Sequence, residues 1–267
     1  MKYIIGTKAI YVMIAIFLVS AMASCGNDDG DKGQGNIVPT TVFNGKRLVK
    51  IIKDVEYPED NWYYEFKYDG RNRLTQVTEY YEGRINDGYQ YNISYDANSV
   101  IISFHKDTFT FKLNGKGYAV SVEGPLNRTF EYDSEGHMTR NGNLSLTWED
   151  GNMVKYEPIS NLVPEDPASP MAFVYDSEDM DNRTFGPWIN YTIYDGSFYS
   201  EGEDYYDVLD IAYLCGIMGK GSKNRPSYYY DADASNPYYS YYGISLNEDG
   251  KVAFTDDGYS RSEYVYE

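Results

Sequence analysis

Phe66-Lys67-Tyr68-Asp69-Gly70-Arg71-Asn72-Arg73-Leu74 decides how this chain folds, because the unit keeps returning. Phe130-Glu131-Tyr132-Asp133-Ser134-Glu135-Gly136-His137-Met138 repeats it, with an apolar residue again six positions after the tyrosine. Tyr95-Asp96 leads to Val100, and Tyr175-Asp176 opens a related unit. Weaker copies are Leu113-Asn114-Gly115, Trp148-Glu149-Asp150-Gly151 and Leu246-Asn247-Glu248-Asp249-Gly250-Lys251-Val252. Aromatic and polar residues in alternation mark the end of a strand with one buried face. Asp, Asn and Gly then supply a turn, since their side chains bond the local backbone and they tolerate positive φ. The apolar residue beyond the turn restarts the alternation.

Turns at Asp69, Asp96, Asn114, Asp133, Asp150 and Asp176 recur at intervals of about 17 to 27 residues. That interval holds two strands of ordinary length, so the repeat predicts consecutive antiparallel hairpins. The expected fold class is mainly β: a long curled antiparallel meander of about 10 to 14 strands, half-barrel or barrel-like.

One segment departs from the β pattern. Val208, Ile211, Ala212, Cys215 and Met218 fall on one stripe at 3,4-type spacing, with Asp204 placed to cap and Gly219 placed to stop. This predicts one amphipathic helix near residues 204–218, covering the concave face or mouth of the sheet.

The start of the chain has a different character. Lys2 and Lys8 precede an apolar run from Ala9 to Val19, then Met22-Ala23-Ser24 lead into Cys25. The run is too short for a membrane span and fits a secretory signal over residues 1–24. Residues 25–42, rich in Gly, Asp and Asn, read as a flexible acidic tether to a single β domain over residues 43–267. Loss of the signal removes two lysines and no acid, taking the formal charge below its value of −18. So acidic a surface argues against nucleic acid as a partner. Cys215, in the apolar stretch Val208 to Met218, reads as a buried small hydrophobe.

Cys25 in this setting resembles the lipobox of bacterial lipoproteins, whose cysteine is acylated. Together with the tyrosine–aspartate unit and the segment Leu214-Cys215-Gly216-Ile217-Met218-Gly219-Lys220-Gly221-Ser222-Lys223-Asn224-Arg225-Pro226, it resembles a lipoprotein family of unknown function from Bacteroides-type bacteria. That family has a porin-like fold, and the resemblance covers residues 43–267. It implies a curled antiparallel sheet around one helix and offers no catalytic residues. The acidic run after Cys25 resembles the export signal of outer-leaflet lipoproteins, which implies a lipid-anchored, surface-exposed protein of the outer membrane, the periplasmic face being the alternative. A membrane-spanning barrel is not expected, because strands such as Glu65-Phe66-Lys67-Tyr68 carry polar residues on one face and a lipid anchor makes insertion redundant.

The chain holds no nucleophile elbow, phosphate loop or paired-cysteine motif, so no catalytic residue, cofactor or metal site is expected. His105 and His137 are too far apart in sequence to be diagnostic of zinc, and Asp176–Asp181 and Asp231–Ser235 lack the glycine and bidentate acid of a calcium loop. The binding candidate lies among the 31 tyrosines. Tyr228, Tyr229, Tyr230, Tyr238, Tyr239, Tyr241 and Tyr242 cluster more densely than alternate burial requires, beside Asp231 and Asp233. Flat rings next to carboxylates suit a glycan, with Trp188 as a further ring. The expected function is an outer-membrane-anchored, non-enzymatic binding module. The alternatives are a carrier or sensor of an apolar ligand inside the sheet and a structural module that meets another envelope protein.

Overall fold

In a computed structural model that describes residues 37–267 apart from 38, 44, 54, 160–170, 175–206, 224–227, 232–242 and 257–260, four copies of the repeat form hairpins with a common turn, while those at Asp96 and Asp150 turn through two residues. Asp69 Oδ1 accepts the backbone N–H groups of Arg71 and Arg73, both at 2.9 Å. Asn114 does the same for Lys116 and Tyr118 at 2.9 and 3.1 Å, and Asn247 for Asp249 and Lys251 at 3.0 Å. Asp133 takes three N–H groups, those of Glu135, Gly136 and His137. The fourth residue of each turn has positive φ: Asn72 at 62°, Gly117 at 84°, Gly136 at 97° and Gly250 at 73°. Asn is among the few side chains enriched there, which is why Asn72 can stand where the other copies have glycine. The apolar residue after each turn is buried: Leu74, Ala119 and Met138 at 0% exposure and Val252 at 1%.

These turns join a long series of strands. The first are β1 (Val42–Phe43), β2 (Lys46–Ile52), β3 (Tyr63–Tyr68), β4 (Leu74–Tyr81), β5 (Arg84–Asp96) and β6 (Ser99–Phe104). Then come β7 (Asp107–Leu113), β8 (Ala119–Glu123), β9 (Arg128–Tyr132), β10 (Met138–Asn141), β11 (Leu144–Glu149), β12 (Asn152–Pro158) and β13 (Met171–Val174). After the helix α1 (Asp207–Leu214) follow β14 (Tyr228–Asp231), β15 (Gly243–Leu246), β16 (Val252–Asp256) and β17 (Arg261–Tyr266). The meander exceeds the 10 to 14 strands read from the repeat: every interval between the expected turns holds two strands, and β1 to β3 and β14 to β17 lie outside those turns.

Pairing is antiparallel throughout these strands. It runs from β14 back through each preceding strand to β2, then from β2 to β17, β16 and β15. Among the described residues no register joins β14 to β15, and the sheet is not closed. The junction of β17 with β2 is a split copy of the repeat. Arg47 and Glu267 exchange backbone hydrogen bonds of 2.7 and 2.9 Å, whereas in the intact turn the Asp69 N–H bonds the Arg73 carbonyl and the Arg73 N–H bonds Asp69 Oδ1; Leu48 follows Arg47 as Leu74 follows Arg73.

Strands far apart along the ladder share one buried cluster, so the sheet is curled. Leu48, Phe66, Val100, Phe111, Phe130, Met153 and Val252 belong to it together with Val208, Ile211, Cys215 and Met218. The expected stripe of the helix is buried, but so are Leu209, Asp210, Tyr213 and Leu214 on its other sides. Residues 39–41 account for part of this: the Thr40 N–H donates to the Leu214 carbonyl, and Thr40 Oγ1 donates to that of Tyr213 at 3.1 Å.

The helix also ends earlier than the expected Gly219. Gly216 has φ 81°, its N–H bonds the Tyr213 carbonyl, and the Ile217 N–H bonds that of Ala212. This is the Schellman arrangement, in which a left-handed glycine satisfies the last carbonyls. Residues 217–223 then follow the turn end of the sheet. The Ile217 carbonyl accepts from Ala119, Lys220 and Lys223 donate to Gly136 and Gly151, and Met153 donates to Ser222 Oγ. The helix and its tail thus close one end of the curl.

Candidate functional site

Around the helix end, each repeat grips the next. At three turns the aromatic residue donates to the carbonyl of the buried apolar residue in the preceding repeat. Tyr68 bonds Leu48 at 2.7 Å, Tyr95 bonds Leu74 at 2.9 Å and Trp148 Nε1 bonds Met138 at 2.6 Å. The residue just before that apolar position covers the same ring. Arg47 lies 5.5 Å from the Tyr68 centroid and Arg73 4.4 Å from that of Tyr95; Lys251 lies 5.7 Å from the ring centroid of Tyr266, whose hydroxyl has no partner among the described residues. Tyr118 packs on Tyr132 at 5.2 Å, and His137 stacks on Trp148 at 4.6 Å. His137 is therefore the counterpart of Arg73, held also by Asp133 Oδ2 at 3.1 Å from Nδ1. Burial pushes the Tyr68, Tyr95, Tyr132 and Tyr266 hydroxyls well above the ordinary value, so they stay protonated. This end is a structural lock.

The opposite end carries another kind of surface. Tyr264, Ile51, Tyr64 and Glu79 stand directly opposite one another across four strands. Ile51 is 1% exposed, so this row lies on the inner face. One step nearer the rim come Trp62 and Tyr81, with ring centroids 6.4 Å apart and planes at 76°. Trp62 Nε1 donates to Glu79 Oε1 at 2.7 Å, and Lys53 Nζ is 5.8 Å from the Trp62 centroid. Glu79 is 5% exposed whereas Tyr81 is 43% exposed. On the outer face Tyr63 and Tyr80 stack at 4.6 Å and 11°, and Lys50 Nζ covers Tyr63 at 3.5 Å. Tyr57 and Ile85 add exposed apolar area nearby.

Local chemistry fixes this rim. Glu82 and Gly83 have φ of 51° and 71°, the pair of positive values that a two-residue type I′ hairpin requires. The Glu82 N–H donates to the Asp60 carbonyl at 2.8 Å, tying the hairpin tip to the loop before β3. A Cβ on Gly83 would stand 2.9 Å from Asn61 Nδ2, the movable end of a side chain, so it is the φ of 71° that favours glycine here. Trp62-Tyr63-Tyr64-Glu65 and Glu79-Tyr80-Tyr81-Glu82 show adjacent aromatics flanked by acids, the signal that singles out residues 228–230, but the sequence does not reveal that the two segments pair.

Of the residues expected to bind, Tyr228, Tyr229 and Tyr230 lie on β14, opposite Val174, Phe173 and Ala172 of β13. Their side chains, together with Tyr238, Tyr239, Tyr241, Tyr242 and Trp188, lie outside the described residues, as does Cys25. The acidic loop at residues 176–181 also lies outside them, and of residues 231–235 only the Asp231 backbone is described. His137 pairs with Asp133, but among the described residues no group of three or more His, Cys, Asp or Glu side chains could hold a metal. Cys215 is a buried free thiol, and burial pushes it up to about 12.

The faces of the strands bear on the membrane question. Tyr91, Ile93, Phe109, Phe111, Val122 and Phe130 are buried, whereas their neighbours Asn92, Ser94, Thr108, Lys112, Glu123, Thr129 and Glu131 are exposed. A membrane barrel places its apolar band outside and its polar residues inside. This distribution is the reverse. No helix among the described residues is long and apolar enough to cross a membrane.

No family model matches the chain. No curated protein matches it either. Solved structures do. A porin-like protein from Bacteroides uniformis aligns over 83% of this chain and 97% of its own, at 16% identity and a TM-score of 0.55. A porin-like protein from Bacteroides vulgatus covers 82% and 98% at 11% identity, with a TM-score of 0.48. The likeness to the first extends to the fold alone. The chain has a porin-like fold: among the described residues, an open, mostly antiparallel curled sheet with one helix.

Proposed function

We propose that this protein is an outer-membrane-anchored lipoprotein that works by binding, not by catalysis, with a glycan as the class of ligand. The observation that carries the reading is the reversed polarity of the sheet. Its outward residues are Asn, Thr, Lys and Glu, so lipid is the wrong solvent for it and an acyl anchor on Cys25 supplies the membrane contact instead. The fold likeness to a Bacteroides protein fits an envelope setting. The route of the chain adds support: residues 39–41 join the domain at the helix end, away from the opposite rim. The carrier reading has less behind it, because the helix and Met218, Cys215 and Ile217, all at 0% exposure, occupy the interior where an apolar ligand would lie. Growth of the producing cells with an alkyne palmitate analogue tests the anchor. Wild-type protein takes up the label and the Cys25→Ala variant does not; label retained in that variant overturns the assignment of Cys25.

A further inference from the structure

We propose that the corner formed by Trp62 and Tyr81, floored by Glu79, binds a neutral saccharide chain. The inference rests on the reading of the protein as a binding module and assigns it a site that the tyrosines at 228–242 do not include. Three observations carry it. First, Trp62 and Tyr81 are two ring planes 76° apart, and Tyr81 is 43% exposed. Such a corner offers one wall for the apolar C–H face of a pyranose and a second for its edge. Tyr63 has Lys50 Nζ 3.5 Å from its centroid and Tyr80 stacked on it at 4.6 Å, so it braces the rim, while the lysine at Trp62 stands farther off, at 5.8 Å.

Second, polar groups border the two rings. Glu79 is oriented by the Trp62 indole N–H at 2.7 Å, Tyr81 carries a hydroxyl, and Lys53 Nζ lies near Trp62. A few fixed polar groups within an aromatic surface are what give a pocket its orientation and selectivity. Third, charge selects the ligand. A formal charge of −18 opposes an anionic polymer, while Lys50 and Lys53 already sit over Tyr63 and Trp62 and oppose a cationic one. A neutral partner with flat apolar faces and hydroxyl edges remains. The lock between Glu82 and Asp60 holds the corner in shape before the ligand arrives, which limits the ordering cost of binding.

Affinity electrophoresis of the full chain in mild detergent, in native gels containing xylan, amylose, mannan or polygalacturonate, tests the proposal. At least one neutral polysaccharide should retard the wild type. Trp62→Ala and Tyr81→Ala should each weaken the retardation by about tenfold, as for an aromatic hot spot, and Tyr81→Phe should keep most of it. Circular dichroism checks the fold, and exposed Tyr81 supplies a variant that leaves the core intact. Retardation by polygalacturonate alone, or unchanged in Tyr81→Ala, overturns the site. Loss only when Tyr238, Tyr239, Tyr241 and Tyr242 are changed to Ala overturns it too, while the binding-module reading stands. If no gel retards the wild type, or cross-linking through Tyr81 captures an envelope protein instead, the saccharide assignment fails.

Discussion

Arg73 lies 4.4 Å over the ring of Tyr95, and Tyr95 donates its hydroxyl hydrogen to the carbonyl of Leu74, the residue next to Arg73. One repeat therefore holds the next through both the face and the tip of a single side chain. Tyr132 occupies the same position in a later repeat, yet its buried hydroxyl has no partner among the described residues. Tyr95→Phe leaves a buried carbonyl without its donor and should destabilise the fold by about 1–3 kcal/mol. Tyr132→Phe should lie within about 0.5 kcal/mol of the wild type. Urea midpoints of the two variants compare them directly; an equal loss would contradict the pairing.

The turn acids make the fold sensitive to acid. Burial raises the Asp69 pKa, but the backbone and side-chain donors of Arg73 and the Arg71 N–H outweigh it and hold the carboxyl below its usual value. Asp133 is held low in the same way, burial being outweighed by the His137 backbone and ring and by the Gly136 N–H. A folded pKa below the unfolded one means stability that is fully present above about pH 3.9 and lost as pH falls through the folded values. The doubly substituted Asp69→Asn, Asp133→Asn protein should unfold with a shallower pH dependence below pH ~4. Its fold should persist at neutral pH, since Asn114 and Asn247 already make the same turn. An unchanged slope in a pH series of urea titrations would count against this.

Gly219 and Gly70 should respond differently to one added methyl group. At Gly219, with φ 81°, a Cβ would stand 2.6 Å from both the Gly136 carbonyl oxygen and Tyr132 Cε1. Gly219→Ala should cost about 3 kcal/mol or more, through strain and loss of the contact between the tail and the turn rim. At Gly70 nothing lies within 4 Å of the added carbon, and Gly70→Ala should change stability by less than about 0.5 kcal/mol. Thermal unfolding of both variants reads the difference.

Cys215 should be silent to thiol reagents in the native protein. Burial raises its pKa to about 12, so at pH 8 the thiolate is scarce and inaccessible. Iodoacetamide should modify it only after denaturation, as read by mass spectrometry. Rapid native labelling would show that the helix end is open.

How much of this was legible in the sequence follows from the range of the interactions. The Tyr68-Asp69 unit exposes its turn, because Asp69 bonds residues only two and four positions away. The helix stripe is visible for the same local reason, but its stop is not: Gly216 and Gly219 both have φ 81°, and only the hydrogen bonds of residues 212–217 pick Gly216. Trp62 and Tyr81 escaped notice because their meeting depends on the β3–β4 register, in which Tyr63 falls opposite Tyr80. The split repeat at Arg47 and Glu267 joins opposite ends of the chain, and no local pattern announces it.

Phase separation in Triton X-114 tests most directly the claim that this protein reaches the membrane through a lipid and not through its sheet. Wild-type protein from its native host and the Cys25→Ala variant are partitioned side by side. The polar outward residues Asn92, Thr108, Lys112 and Glu131 predict that the wild type enters the detergent phase and the variant the aqueous phase. Recovery of both proteins in the detergent phase would mean that the domain itself is lipid-facing, and recovery of both in the aqueous phase would mean that no anchor is attached; either result would contradict the account.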